Sequence, residues 1–180
     1  LGTYKNGDNF VLRGAQIKTY KCYSDNIING QLYYRIYEQS AAAPAFSNVI
    51  NGNTTYLDHI SDNGSGTECS GSSFRQTWGN SGLPIDILQG LSSGDYYLEI
   101  YLVAEYNLGT PPNALRYDSN NSFNYRASFK VDNPPVAICQ NITVQLDASG
   151  NANITAAQIN NGSTDDNGIT NYALSIYSFD

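Results

Sequence analysis

The sequence predicts an all-β protein, and three observations predict it. Apolar and polar residues alternate with period two in the strongest segments, helical periodicity is almost absent, and Gly/Asn clusters punctuate the chain at short intervals. Taken in order, Lys5-Asn6-Gly7-Asp8 is a turn signal, because Gly and Asn accept the positive φ that tight turns require. Strands fit 10–13, 16–21 and 32–39. Turns follow at Asn51-Gly52-Asn53 and Asp62-Asn63-Gly64-Ser65-Gly66, and another strand fits 74–78. In 96–105, Tyr96, Leu98, Ile100, Leu102 and Ala104 share one face, and Tyr97, Glu99, Tyr101, Val103 and Glu105 share the other. In 123–131, Phe123, Tyr125, Ala127, Phe129 and Val131 oppose Asn124, Arg126, Ser128 and Lys130. Both segments read as half-buried antiparallel strands. Many short strands broken by turns make a β-sandwich the leading architecture.

One local signal sharpens the architecture. Leu91-Ser92-Ser93-Gly94-Asp95-Tyr96 runs straight into the strongest strand, and a Leu-x-x-Gly-x-Tyr approach is how Ig-like sandwiches build a tyrosine corner. Tyr96 would return its hydroxyl to the backbone upstream, with 123–131 as the last strand of that domain. A plain loop with a buried Tyr is the alternative.

Composition excludes several classes of function. The 180 residues carry 9 Lys plus Arg against 16 Asp plus Glu, a formal charge of -7, with only 14% charged residues. Polarity rests on neutral groups instead: 22 Asn, 18 Ser, 16 Gly and 15 Tyr. Such a chain has no basic stripe to neutralise phosphates, which argues against nucleic-acid binding. No window approaches the roughly 18 apolar residues of a membrane span, so no membrane insertion is expected in this segment. One His, no Met and three Cys leave little material for a metalloenzyme or a His-based nucleophile site, and the expectation is no enzyme.

The chain starts at Leu1 with no charged or apolar leader before the first strand, so it reads as a mature or internal piece of a longer protein. Its composition suits an extracellular or cell-surface setting, and the cysteines agree. Cys22 and Cys69 lie in loop-like contexts where free thiols would be oxidisable, which favours a disulfide between them over two unpaired surface thiols.

At Val131-Asp132-Asn133-Pro134-Pro135 the character changes. Prolines cannot donate to a ladder and favour extended backbone, so 133–135 reads as a stiff linker. Residues 1–132 hold all 9 cations and 12 acids, whereas 133–180 hold no cation and 4 acids. Beyond the linker, Val136, Ile138, Ile142, Val144 and Leu146 read as one buried face, Asp147–Asn151 as a hairpin turn, and 152–155 as the returning strand, with Tyr172, Leu174 and Ile176 on a third. That is too little chain for an independent sandwich. The expected organisation is therefore tandem Ig-like β-sandwich domains, the first over 1–132 and the second, 136–180, incomplete at its C-terminal end.

The run Pro134-Pro135-Val136-Ala137-Ile138-Cys139-Gln140-Asn141-Ile142-Thr143-Val144-Gln145-Leu146-Asp147, followed by Asn151-Ala152-Asn153-Ile154-Thr155-Ala156 and Asn161-Gly162-Ser163-Thr164-Asp165-Asp166-Asn167-Gly168-Ile169, resembles the HYR (hyalin) repeat. The resemblance covers 134–180 and is weaker over 1–132, where the strands are similar to modules of the same kind of protein. It implies an Ig-like module of a large secreted or surface protein of Bacteroidota, such as a gliding-motility adhesin exported by type IX secretion. It also implies that Cys139 pairs with a Cys beyond Asp180. Asn167 stands where many relatives have a Cys, so their usual pairing does not carry over.

Candidate sites were weighed by chemistry. Asp132, Asp165 and Asp166 offer oxygens suited to Ca²⁺, but Asp and Asn are also ordinary turn formers and no EF-hand spacing is present. Tyr33, Tyr37, Tyr97 and Tyr101, with Trp78, are candidate ligand-binding aromatics for surface glycans or partner proteins, set against plain cross-strand packing. His59 reads as a solvated loop histidine. Glu99 and Glu105 are six residues apart on one strand, roughly 20 Å, too far for a glycosidase pair. Sequons at Asn53, Asn63, Asn120, Asn141, Asn153 and Asn161 are ascribed to the abundance of Asn and Ser. The expected function is a non-catalytic rod or spacer that presents an adhesive surface beside neighbouring repeats. The alternatives are a carbohydrate-binding accessory module of a secreted polysaccharide-degrading enzyme and, more weakly, a self-assembling fibre.

Overall fold

A computed structural model describes residues 1–22, 26–50, 53–69, 73–80, 82, 84–107 and 113–179, and the turn signal at Asn51-Gly52 lies outside them. The chain divides into two units, Leu1–Val131 and Asp132–Asp180. In the first, the strands are β1 (Thr3–Tyr4), β2 (Val11–Leu12), β3 (Ala15–Cys22), β4 (Asn26–Glu38), β5 (Val49–Ile50), β6 (Asn53–Thr54), β7 (Tyr56–Gly66), β8 (Ser73–Asn80), β9 (Ile85–Asp86), β10 (Gly94–Asn107), β11 (Ala114–Asp118) and β12 (Tyr125–Val131). The protein is all-β, as the alternation predicts.

The strands run in the order β1-β12-β10-β4-β7-β8-β3, with β11 on the remaining length of β10. β4 meets β7 through only two registered pairs, Gly30 with Leu57 and Gln31 with Tyr56. There the sheet folds over, and β1-β12-β10-β4 and β7-β8-β3 enclose one core. Ile17, Leu32, Leu57, Trp78, Ile87, Leu98, Leu102, Phe129 and Val131 belong to it. Gly30 fits the crossover because a Cβ there would stand 3.2 Å from two Leu57 side-chain atoms. Thr55, fully buried, donates its hydroxyl to the Leu32 carbonyl and to the Asn48 carbonyl at 3.1 Å, which satisfies backbone where the ladder is interrupted.

Among the described residues the pairings in this sheet are antiparallel except one: β1 lies parallel to β12, Thr3 opposite Lys130 and Tyr4 opposite Val131. The Tyr4 ring stacks on Phe10 at 4.4 Å and meets Phe129 edge-on at 6.2 Å.

Three sequence expectations for this unit change. The cluster 62–66 is the far half of β7, not a turn. Its turn-forming side chains are bonded across to β8 instead, Asp62 accepting from Gln76 at 2.8 Å and Asn63 from Thr77 at 2.6 Å. Irregular register between His59 and Ser61, and between Asp62 and Ser65, absorbs the extra residues. His59 is consequently a strand residue. Phe123 is outside the strand and 79% exposed, because the turn at Asn120–Ser122 with positive φ redirects the chain before β12 begins.

The second unit holds β13 (Ala152–Asn153), a short helix α1 (Ala156–Ile159) and β14 (Ser178–Phe179), with Ala152 opposite Phe179. The turn before β13 is built by Asp147, whose carboxylate accepts from the Ser149 and Asn151 N–H groups, with Gly150 at φ +86°. The expected buried face over 136–146 is corrected: Val136 and Leu146 are 57% and 54% exposed, and the segment joins its neighbours through isolated bridges, Val136 to Thr164 and Cys139 to Asn160. The expected third strand at 172–176 is likewise absent; pairing starts only at Ser178. The helix was not foreseen, although the Thr155 N–H accepted by Gln158 Oε1 at 2.8 Å is the local signal that starts one.

Candidate functional site

Among the described residues β4 and β10 form the longest ladder, and its register decides what stands on the face turned away from the core. Tyr37 is opposite Tyr97, Arg35 opposite Glu99, Tyr33 opposite Tyr101, Gln31 opposite Val103 and Asn29 opposite Glu105. Tyr-x-Arg-x-Tyr on one strand therefore meets Tyr-x-Glu-x-Tyr on the other, with opposite charges at the centre. The Tyr33 and Tyr101 rings stack at 4.8 Å, and Tyr37 and Tyr97 lie 5.6 Å apart. All four tyrosines are half-buried.

Glu99 is the hub and only 5% exposed. Arg35 donates to its Oε2 from Nε at 2.9 Å and Nη2 at 2.5 Å, and the Tyr37 hydroxyl donates to Oε1 at 2.5 Å. Arg126 flanks it at 3.8 Å while covering the Tyr97 ring. Arg35 also donates to the Pro44 carbonyl at 3.0 Å and stacks over Phe46 at 4.1 Å. Burial alone would push the Glu99 carboxyl up, but the Tyr37 hydroxyl and the Arg35 guanidinium outweigh it and hold the group below its usual range. The same bond raises the Tyr37 phenol, which keeps the proton it donates to the Glu99 carboxylate. The Tyr101 phenol is raised mainly by burial. Held ionised, the Glu99 carboxylate has no proton to give as a general acid at neutral pH. The arrangement fixes the orientation of four aromatic rings.

The other candidates are dispersed. Trp78 is buried in the core, its ring edge-on to His59 at 5.3 Å, so its place among ligand platforms is corrected: it offers no face to solvent. His59 lies 3.2 Å from Asp62, whose carboxyl is lowered first by the Gln76 amide and then by this histidine. Glu105 accepts from Asn29 and Asn113, both at 2.7 Å, and shares no partner with Glu99. Tyr96 is 3% exposed and donates its hydroxyl to the Ser92 carbonyl at 2.9 Å, pinning the entry of β10.

Cys22 and Cys69 are joined in a disulfide with a Cα–Cα distance of 5.7 Å. Cys69 sits in the turn after β7, as its sequence context suggests, but is buried there, whereas Cys22 is the last residue of β3 and not in a loop. Cys139 is an exposed thiol. In the second unit Asp132, Asp165 and Asp166 gather round Asn167. Its side chain donates to Asp132 and, at 3.1 Å, to Asp166, and its N–H donates to Asp165 at 3.1 Å. Asp166 also accepts from the Asn133 N–H at 3.2 Å. These carboxylates hold turns together through amide donors, and among the described residues no group of metal-ligating side chains has the geometry of a metal site.

Arg35 and Phe46 were missed in the sequence. The signal for Arg35 was present in the complementary tyrosine triplets; Phe46 reaches the face through a loop whose path no periodicity encodes. The chain matches no protein-family model, no curated protein and no solved structure.

Proposed function

We propose that this chain is a non-catalytic structural and adhesive segment of a large extracellular surface protein, in which the first unit carries tension between its neighbours. One observation supports this above the others: the first and last strands of the unit lie side by side and parallel. Pulling the two strands toward opposite ends strains their cross-strand hydrogen bonds in shear, so that the bonds must fail together instead of peeling singly. The Lys130 N–H to Gly2 carbonyl bond at 3.0 Å belongs to this pairing. The Cys22–Cys69 bridge, which spans 47 residues of sequence, adds about 4 kcal/mol by restricting the unfolded chain. The HYR resemblance over 134–180 fits a tandem Ig-like organisation, and with it a gliding-motility adhesin exported by type IX secretion from a Bacteroidota cell.

Single-molecule stretching of the full chain tests the reading. Lys130→Pro removes the donor to Gly2 and is expected to lower the unfolding force of the first unit clearly, by more than a core change of equal thermal cost such as Leu98→Ala. An unchanged force would rule the mechanical role out.

The second reading, a carbohydrate-binding accessory module, draws on the tyrosine row. It is the weaker one, because the Tyr33 and Tyr101 rings spend a face on each other instead of leaving it open for a sugar.

A further inference from the structure

A cleft of about 350 Å3 opens on the first unit between β3 on one side and β10 and β11 on the other, and Tyr117 in its lining lies 6.0 Å from Tyr101 of the tyrosine row. Its floor is core: Ile17, Ile27 and Ala104 are all buried. Six consecutive residues of β3, 17–22, line it. Alternating side chains of one strand face cannot do that, so the strand presents its edge. Among the described residues β3 stands last in the strand order and pairs with β8 alone, which leaves ladder N–H and C=O groups of its outer edge facing the opening.

The rim carries the charge. Lys21 and Arg116 bring positive charge to it in a chain of net charge -7; Lys18 also lines the cleft but lies on the other face of β3, where it lines a second depression with Glu68 and Arg75. Among the described residues none of the three is in an ion pair, whereas Arg35, Arg75 and Arg126 all are. Lys21 donates to the Asn26 side-chain oxygen at 3.4 Å, and the Arg116 guanidinium, which lies over the Tyr106 ring at 5.1 Å, has no carboxylate partner among the described residues. Asp118 is the only acid in the lining, and it accepts a hydrogen bond from Tyr125 at 3.0 Å.

We infer that this cleft binds a carboxylated sugar, one or two units of an acidic polysaccharide. The sign follows from Lys21 and Arg116. The planar carboxylate follows from Arg116, whose fork favours bidentate pairing. The polyhydroxyl body follows from Asp118 and the β3 edge, which accept hydroxyl protons that a simple anion lacks, above the apolar floor of Ile17, Ile27 and Ala104. The volume is at the small end of ligand cavities. The inference is separable from the tension-bearing role, which needs only the β1–β12 pairing.

Calorimetric titration of the intact chain with trigalacturonate at physiological ionic strength tests it. Binding is expected, with Lys21→Gln and Arg116→Gln each weakening it about tenfold, Arg116→Lys recovering part of the loss, and the methyl ester of the probe binding about tenfold more weakly than the free acid. Arg13→Gln, which removes the same charge outside the cleft, should leave affinity unchanged. Thermal midpoints near that of the parent establish that each variant is folded. Failure of the intact chain to bind would overturn the inference. So would an equal loss with Arg13→Gln, or equal binding of hexaglutamate or a sulfated disaccharide, which would indicate an acidic peptide or general electrostatic attraction.

Discussion

Glu99 shows how one side chain can set the character of a whole face. Its carboxylate lies almost out of water and is stable there because Arg35 and Tyr37 supply three donated hydrogen bonds. Removing one partner of such a pair leaves the other buried and uncompensated, which is far worse than removing both. Arg35→Ala is therefore expected to cost about 3 kcal/mol in denaturant unfolding, and the double change Arg35→Met with Glu99→Leu clearly less. A single-variant cost below about 1 kcal/mol would mean that the pair behaves as an ordinary surface ion pair. The tyrosines beside it would lose their fixed orientation at the same time, visible as a weaker near-ultraviolet circular dichroism signal.

Among the elements, β8 is the most constrained. It is flanked by β3 and β7, and Gly79 sits where they crowd it: a Cβ would stand 2.8 Å from the Ile60 Cδ1 and 3.0 Å from the Ala15 carbonyl oxygen. The Ile60 tip can swing aside; the backbone carbonyl cannot. Gly79→Ala should cost about 1 to 3 kcal/mol by equilibrium unfolding, and adding Ile60→Ala should restore only part of it. Full restoration would show that the backbone clash is unimportant. The elements also show what alternation can and cannot encode. β10 and β12 were legible because a core on one face imposes period two on the sequence. The second half of β7 was not, since its Asp, Asn and Gly residues signal turns locally and become strand only when Gln76 and Thr77 of β8 claim their side chains. The opposite error occurred at 136–146, where alternating apolar residues imply a buried face that the second unit does not enclose. The site was half legible. The four tyrosines stood out by position, while the central role of Arg35 and Glu99 needed the antiparallel register, a fact of pairing between distant segments.

The whole molecule is acidic, yet several of its acids are held ionised by local donors. Glu68, bonded first by the Ser73 hydroxyl, then by its own backbone N–H and Arg75, is lowered to about 2, and Glu99, Asp62 and Asp147 are lowered too. A carboxyl whose folded value is depressed binds its proton more readily in the unfolded chain. Its contribution is thus present above the ordinary value of 4.5 and disappears as pH falls through the folded one. Thermal midpoints should be flat down to about pH 5 and fall between there and about pH 2. Glu68→Gln should flatten part of that fall, and an identical pH profile in the variant would remove Glu68 from the explanation. Trp78 adds a last consequence at this scale. As the single tryptophan of a chain with 15 tyrosines, buried on β8 where both halves of the core meet, it makes the fold its own fluorophore. Energy absorbed by the tyrosines drains to one indole whose emission colour records whether the two sheets are still closed around it.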